Sequence, residues 1–172
     1  MFRFITARDQ SLMRLANNWH APRWIRFWAL GATRAGDGWL WGLIGFIILA
    51  FGGAERVQAD AAAGIAAVLS ILLFQRLKRV AGRRRPCHVE PHCWATLLPP
   101  DQFSFPSGHT MTAFAVSIAL SQFYPSLVFP LMFFAVSIAI SRILLGMHFL
   151  SDVVAGAILG AGLGYLATLI FL

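Results

Sequence analysis

Residues 57–86 read VQADAAAGIAAVLSILLFQRLKRVAGRRRP, and this stretch decides the class of fold. From about Val57 to Leu77 the chain is almost wholly apolar, with Asp60 near the start of the run. At 1.5 Å per residue that length suits a helix crossing ~30 Å of hydrocarbon. Leu77 then hands directly to a basic block containing Lys78, Arg79, Arg83, Arg84 and Arg85, so an oily helix ends in fixed cations.

The rest of the chain extends this pattern. Of its 172 residues 58% are hydrophobic and 12% charged, with a mean hydropathy of +0.69, a composition that excludes an ordinary soluble domain. Upstream, Gly36-Asp37-Gly38 precedes an apolar run from Trp39 to about Ala54. Downstream, apolar runs extend from His109 to about Phe123, from beyond Tyr124-Pro125 to about Ile140, and from about Val153 to Leu172. The expected fold is therefore all-α: an integral membrane bundle of about five transmembrane helices forming a single domain over residues 1–172.

Residues 1–35 carry six Arg against Asp9, interleaved with Trp19, Trp24, Phe27 and Trp28. They are expected to form an amphipathic helix lying in the interface, unable to span. No contiguous apolar core and small-residue cleavage site follow Arg3, so the segment does not read as a secretory signal. Residues 79–105 form the one long irregular stretch, where Pro86, Pro91, Pro99 and Pro100 exclude a continuous helix. In the last span Gly156, Gly160 and Gly164 recur every four residues, a helix face that reads as close packing against a neighbour.

The formal net charge is +7, concentrated in residues 1–36 and 76–92. Such clusters attract anionic head groups; they flank spans too apolar for a nucleic-acid-binding surface, so no nucleic-acid partner is expected. Alternating the spans brings three polar blocks to one membrane face: Lys78 with Arg85-Pro86, Pro106-Ser107-Gly108-His109, and Ser141-Arg142 followed by His148 and Asp152.

Each block is ambiguous alone. A four-residue separation places His148 and Asp152 on one face of a helix, where the carboxylate could orient the imidazole for attack. Asp152 near a helix N-terminus is explained equally well by the dipole. Arg142 is the only charged residue between Asp101 and Asp152, which marks it as functional unless it snorkels. Pro106 to His109 reads as a helix start whose Gly lets backbone N–H groups approach an anion, with His109 placed to donate a proton. Lys78 and Arg85, seven residues apart, share a face if the helix continues past Gly82. Arg79, Arg83 and Arg84 read as a lipid-facing basic collar.

Taken together, the spacing resembles the signature of the type 2 phosphatidic acid phosphatases (PAP2), a signature shared with vanadium-dependent haloperoxidases. It runs Lys, six residues, Arg-Pro; Pro-Ser-Gly-His; Ser-Arg, five residues, His, three residues, Asp, and every interval is intact in this chain. The motifs cover residues 78–152. The resemblance implies that His148 is the nucleophile, forming a phosphohistidine, that Asp152 orients it, and that His109 is the general acid. It further implies that Lys78, Arg85, Ser107, Gly108 and Arg142 bind the phosphoryl group, with no metal or other cofactor. The membrane composition favours the lipid phosphatase branch. The layout looks most like that of small bacterial undecaprenyl diphosphate phosphatases of the inner membrane, with phosphatidylglycerophosphate and phosphatidic acid as alternative substrates. A catalytically silent lipid-binding subunit is the reading of another class. No obligate protein partner is implied beyond lipid.

Cys87 and Cys93 bracket His88 and His92. Two Cys and two His within seven residues match no familiar zinc spacing; a disulfide is expected if the loop is periplasmic, and free thiols if it is cytosolic. The positive-inside rule would place the motif face in the cytoplasm, whereas the resemblance places it in the periplasm, which is the side expected here.

Overall fold

The computed structural model describes residues 2–90 and 101–172, with side chains from residue 7 onward. It is all-helical in its regular elements: α1 (Phe2–Asn18), α2 (Arg23–Ala35), α3 (Trp39–Phe51), α4 (Arg56–Ala81), α5 (Pro86–Val89), α6 (Gly108–Phe123), α7 (Val128–Leu144) and α8 (Leu150–Thr168). Cys93 and His92 lie outside the described residues, and with them the question of a Cys87–Cys93 bridge or a metal set.

All five apolar runs are helical, but they differ in reach. Among the described residues, three helical segments are long and apolar enough to cross a membrane: Gly53–Ala81, Pro125–Leu144 and Leu150–Thr168. Helix α3 has 13 residues, about 20 Å, too short to cross alone. It follows α2 after a 63° bend, and the two pass the same test as one bent pair. The first expected span is thus shorter than its apolar run suggested, because Gly52 ends the helix with its N–H on the Ile48 carbonyl.

The leader also departs from expectation. It is two helices broken at residues 19–22, where Pro22 precedes α2. Helix α2 packs on α7, and α1 packs against α7 and α8. Ala29, Thr33 and Ala35 of α2 are buried, so this segment belongs to the bundle as well as to its edge.

Helix α6 is central, packed against α4, α7 and α8. The glycine stripe of α8 explains how close α8 comes. A Cβ on Gly156 would sit 2.8 Å from the Ser107 carbonyl oxygen, one on Gly160 would run into the Met111 backbone, and one on Gly164 into the Ala115 backbone. The stripe is a packing face, as its spacing predicts. At the far end Pro125 stops the chain after α6, and the Tyr124 hydroxyl donates to the Gly52 carbonyl at 2.8 Å, tying the loops of that end together.

Gly160→Val should lower the thermal midpoint of the purified protein, since forcing bulk into a packed contact costs about 1–3 kcal/mol. Gly162→Val, whose added carbon meets nothing within 4 Å, should leave it nearly unchanged. Equal midpoints for the two variants in a thermal scan would contradict the packing.

Candidate active site

Lys78 occupies the last turn of α4, and the helix ends three residues later because Gly82 turns left-handed, at φ 57°. The helix therefore does not continue to Arg85, and the shared face expected for Lys78 and Arg85 does not exist. They meet by another route. Arg84 bridges Phe103, and the Ser104 N–H donates to the Arg83 carbonyl at 2.7 Å, laying residues 101–104 beside 83–85. Asp101 then links the two cations. Lys78 Nζ donates to its Oδ2 at 2.7 Å, Arg85 Nη2 to its Oδ1 at 2.9 Å, and Arg85 Nε to its carbonyl at 2.9 Å. Burial pushes the Asp101 carboxyl up, but the hydrogen bonds from Lys78 and Arg85 outweigh it, and the net direction is below the usual carboxylate range.

Arg85 is 1% exposed. Its extended backbone follows from the proline after it, and Pro86 opens α5. Arg85 Nη1 donates to the Met147 carbonyl at 3.0 Å and lies 3.2 Å from His148 Nε2. Arginine offers no acceptor, so Nε2 must accept, and the proton of a neutral ring sits on Nδ1. That nitrogen faces Asp152 Oδ2 at 3.7 Å, beyond hydrogen-bonding distance, and is buried without a partner among the described residues. Burial, then the charges of Arg142, Arg85, Lys78 and His109, hold the His148 pKa well below its ordinary value. The ring is a neutral imidazole with a lone pair turned toward cations.

The loop carrying His148 is pinned on both sides. The N–H groups of Met147 and His148 donate to the Arg142 carbonyl at 3.0 and 3.1 Å, and the Cys87 N–H donates to the Gly146 carbonyl at 3.1 Å. His148 is not helical: Phe149 is the N-cap of α8 and Asp152 its third residue. Asp152 therefore sits in the first turn of α8, where the dipole reading puts it. Its Oδ2 accepts the Phe149 N–H at 2.9 Å as a cap, and the same oxygen faces the imidazole.

Arg142 is 4% exposed at the end of α7 and does not snorkel outward. Its Nη1 donates to Thr33 Oγ1 of α2, and its Nε is buried without a partner among the described residues. An anion would complete that guanidinium. Ser107 is the N-cap of α6; its N–H donates to the Asp152 carbonyl at 3.0 Å and its Oγ pairs with Thr110 Oγ1 at 2.9 Å. The anion cradle expected there is thus left to the first-turn N–H groups of Gly108 and His109, which precede the first intrahelical bond. A Cβ at Gly108 would stand 3.0 Å from the Phe74 ring, which also carries Lys78 Nζ at 5.2 Å.

His109 Nε2 lies 2.8 Å from Asp37 Oδ1, in the turn between α2 and α3. Of the presumed collar, Arg79 and Arg84 are exposed. Arg83 is not part of it: Arg83 Nη1 donates to Asp152 Oδ1 at 2.7 Å. Thr33, Asp37, Arg83 and Asp101 are the residues that motif spacing misses. Outside the two basic segments the chain has only five carboxylates, Asp37, Glu55, Asp60, Asp101 and Asp152. Isolation in an apolar chain, the signal that singled out Arg142, would have drawn attention to Asp37 and Asp101 as well. Chemically, the arrangement can hold a phosphoryl group among Lys78, Arg85 and Arg142, present a neutral imidazole to phosphorus, and offer His109 to a departing oxygen.

Residues 59–172 match the PAP2 superfamily. Decaprenylphosphoryl-5-phosphoribose phosphatase of Mycobacterium tuberculosis is 36% identical over 133 residues, covering 70% of this chain and 68% of that protein. Lipid A 1-phosphatase of Rhizobium johnstonii is 33% identical over 108 residues, 60% of this chain and 44% of that protein. Among solved structures, LpxE of Aquifex aeolicus aligns with a TM-score of 0.78 at 28% identity, covering 91% of this chain and 92% of its own. The transmembrane PAP2-type phosphatidylglycerolphosphate phosphatase of Bacillus subtilis aligns at 0.72 and 26%, covering 96% and 85%. A family match over more than half the chain, relatives that are phosphatases, and the same fold in two solved structures, one of them a transmembrane phosphatase, lead to one statement: this chain belongs to the PAP2 superfamily, as an integral membrane phosphatase.

Proposed function

We propose that the protein hydrolyses a polyprenyl diphosphate, with undecaprenyl diphosphate giving undecaprenyl phosphate and inorganic phosphate, through a phosphohistidine on His148. The observation that carries this reading is the His148 ring, with Nε2 against Arg85 and Nδ1 turned to Asp152. In the first step the Nε2 lone pair attacks the terminal phosphorus, the bond to the bridging oxygen breaks, and His109 gives that oxygen a proton. In the second, water attacks the phosphohistidine, His109 takes a proton from it, and the N–P bond breaks to release phosphate. Lys78, Arg85 and Arg142, with the Gly108 and His109 N–H groups, hold the equatorial oxygens in both steps, and Ser107 sets the cradle. Asp152 stabilises the charge that grows on the ring.

The polyprenyl preference is supported by the decaprenyl substrate in the name of the mycobacterial relative and by three clustered cations, which suit a diphosphate. An apolar groove of about 650 Å³, lined by Leu12, Leu15, Trp19, Ile143 and Leu150 among others, runs between α1 and the α7 to α8 region. It offers a bed for a hydrocarbon tail, since Ile143 follows Arg142 directly. The active site is assigned to the periplasmic face of a bacterial inner membrane.

Phosphate release by the purified protein should be fastest with undecaprenyl diphosphate in a panel with phosphatidylglycerophosphate and phosphatidic acid. His148→Ala should lose more than about 10³-fold of that turnover while remaining folded; full turnover in that variant would sink the mechanism. Preference for either glycerophospholipid would replace the substrate. After treatment with a membrane-impermeant reductant, a membrane-impermeant maleimide applied to intact spheroplasts should label Cys87 and Cys93; labelling only after lysis would reverse the sidedness.

Asp101 occupies the oxygens' side of Lys78 and Arg85, so an incoming phosphate competes with it. Asp101→Asn should therefore tighten competitive inhibition by inorganic phosphate about 10-fold, the equivalent of about 1.4 kcal/mol. Weaker inhibition would mean that Asp101 chiefly holds the cations in place.

A further inference from the structure

The second oxygen of the Asp152 carboxylate belongs to a cluster that the phosphate-binding residues do not account for. Arg83 Nη1 donates to Asp152 Oδ1 and to Ser151 Oγ, each at 2.7 Å, while its Nη2 donates to Asp9 Oδ2 at 2.7 Å. The Arg83 Cζ lies over the Phe149 ring, 4.2 Å from its centroid. Asp9, in α1, is 4% exposed. Its Oδ1 accepts the Ser151 N–H at 3.1 Å and its Oδ2 the Ser151 hydroxyl. A buried carboxylate on the leader helix thus grips both the arginine and the first turn of α8.

Geometry gives this cluster a task. Asp152 has no exposed side-chain surface, and Oδ2 must stay directed at His148 while the ring gains charge. Two contacts fix the carboxylate plane, the Phe149 N–H on Oδ2 and Arg83 on Oδ1. The backbone contact alone leaves the plane free to tilt about the capped oxygen; the planar fork of Arg83, anchored to a second carboxylate, removes that freedom. The anchor comes from a segment 143 positions away in sequence, which makes α1 part of the catalytic frame.

We propose that Arg83 and Asp9 are positioning residues for phosphoryl transfer: Asp9 of α1 sets the Arg83 guanidinium, and Arg83 holds the Asp152 carboxylate against the His148 ring. This rests on His148 and Asp152 acting as nucleophile and orienting group. Neither residue touches substrate, so the chemical step should suffer while phosphate binding does not.

The test measures kcat, KM and competitive inhibition by inorganic phosphate for the full-length protein in detergent, using the lipid of the panel that it turns over fastest. Groups that hold a catalytic side chain from behind are worth about 10-fold or more. Arg83→Gln should lower kcat by about that factor, with Asp9→Asn a few-fold and Arg83→Lys between Arg83→Gln and wild type. KM and the phosphate inhibition constant should stay within about twofold. The Asp9→Asn/Arg83→Gln double variant should be no slower than Arg83→Gln, because coupled residues are non-additive. Where Arg83→Gln does not accumulate folded, Asp9→Asn, which removes charge without volume, decides. Wild-type kcat in the single variants, multiplicative losses in the double, or inhibition constants that worsen in step with kcat would each overturn the proposal. Loss of turnover in His148→Ala beside normal Arg83→Gln would overturn it alone; retained turnover in His148→Ala would overturn the reading beneath it as well.

Discussion

The buried guanidinium of Arg85 is the constraint on which the site depends. It joins two chain segments that lie far apart in sequence: Asp101, and the adjacent Met147 carbonyl and His148 ring. A cation at 1% exposure has lost its water, and desolvating an ion costs several kcal/mol even after relaxation. Each acceptor around Arg85 offsets part of that cost, so the loop that supplies the Met147 carbonyl is drawn to the arginine. His148 then arrives in one orientation and one tautomer. The same residue that would bind phosphate thus defines the nucleophile before any phosphate is present.

The site's charge balance follows from this. Lys78, Arg85 and Arg142 cannot all be buried near one another unopposed, and among the described residues Asp101 pairs with the first two and a neutral hydroxyl, from Thr33, with the third. Arg142 is therefore the least satisfied cation of the set. In the proposed mechanism a phosphoryl group would meet its unpartnered Nε while exchanging with Asp101 at the other two. His148 keeps its lone pair because burial, and then those same cations, oppose its protonation. In the proposed mechanism, binding and nucleophile activation are two consequences of one positive pocket.

The helical class and the three motif blocks were legible because both rest on local signals, hydrophobic run length and fixed spacing. The glycine stripe of α8 was legible for the same reason: a four-residue period projects onto one face whatever it packs against. What stayed hidden depends on tertiary contact. Arg83 looks like its neighbours Arg79 and Arg84 in a basic run, and only the left-handed turn at Gly82 sends its side chain to Asp152. Asp37 and Asp101 carry no motif, and their partners are 72 and 16 positions away. The apolar run at 39–54 exceeded its helix because apolarity does not mark the glycine cap at Gly52.

Chemistry and membrane packing cannot be separated in this fold. The N-cap of α6 donates through the Ser107 N–H to the carbonyl of Asp152, in the first turn of α8. That bond exists because Gly156 lets the two helices approach backbone to backbone at that level, with Gly160 and Gly164 holding the approach farther down. Separating α6 from α8 by one methyl group would move the N-cap of α6 relative to the carboxylate that faces His148. The leader and the turn after it act in the same way from the other side, with Thr33 of α2 on Arg142, Asp37 of the turn on His109 and Asp9 of α1 on Arg83. A stretch that reads as a membrane anchor, with the turn that follows it, therefore sets a polar side chain against each of three charged or titratable groups around the candidate site, and its packing and that site are one structure.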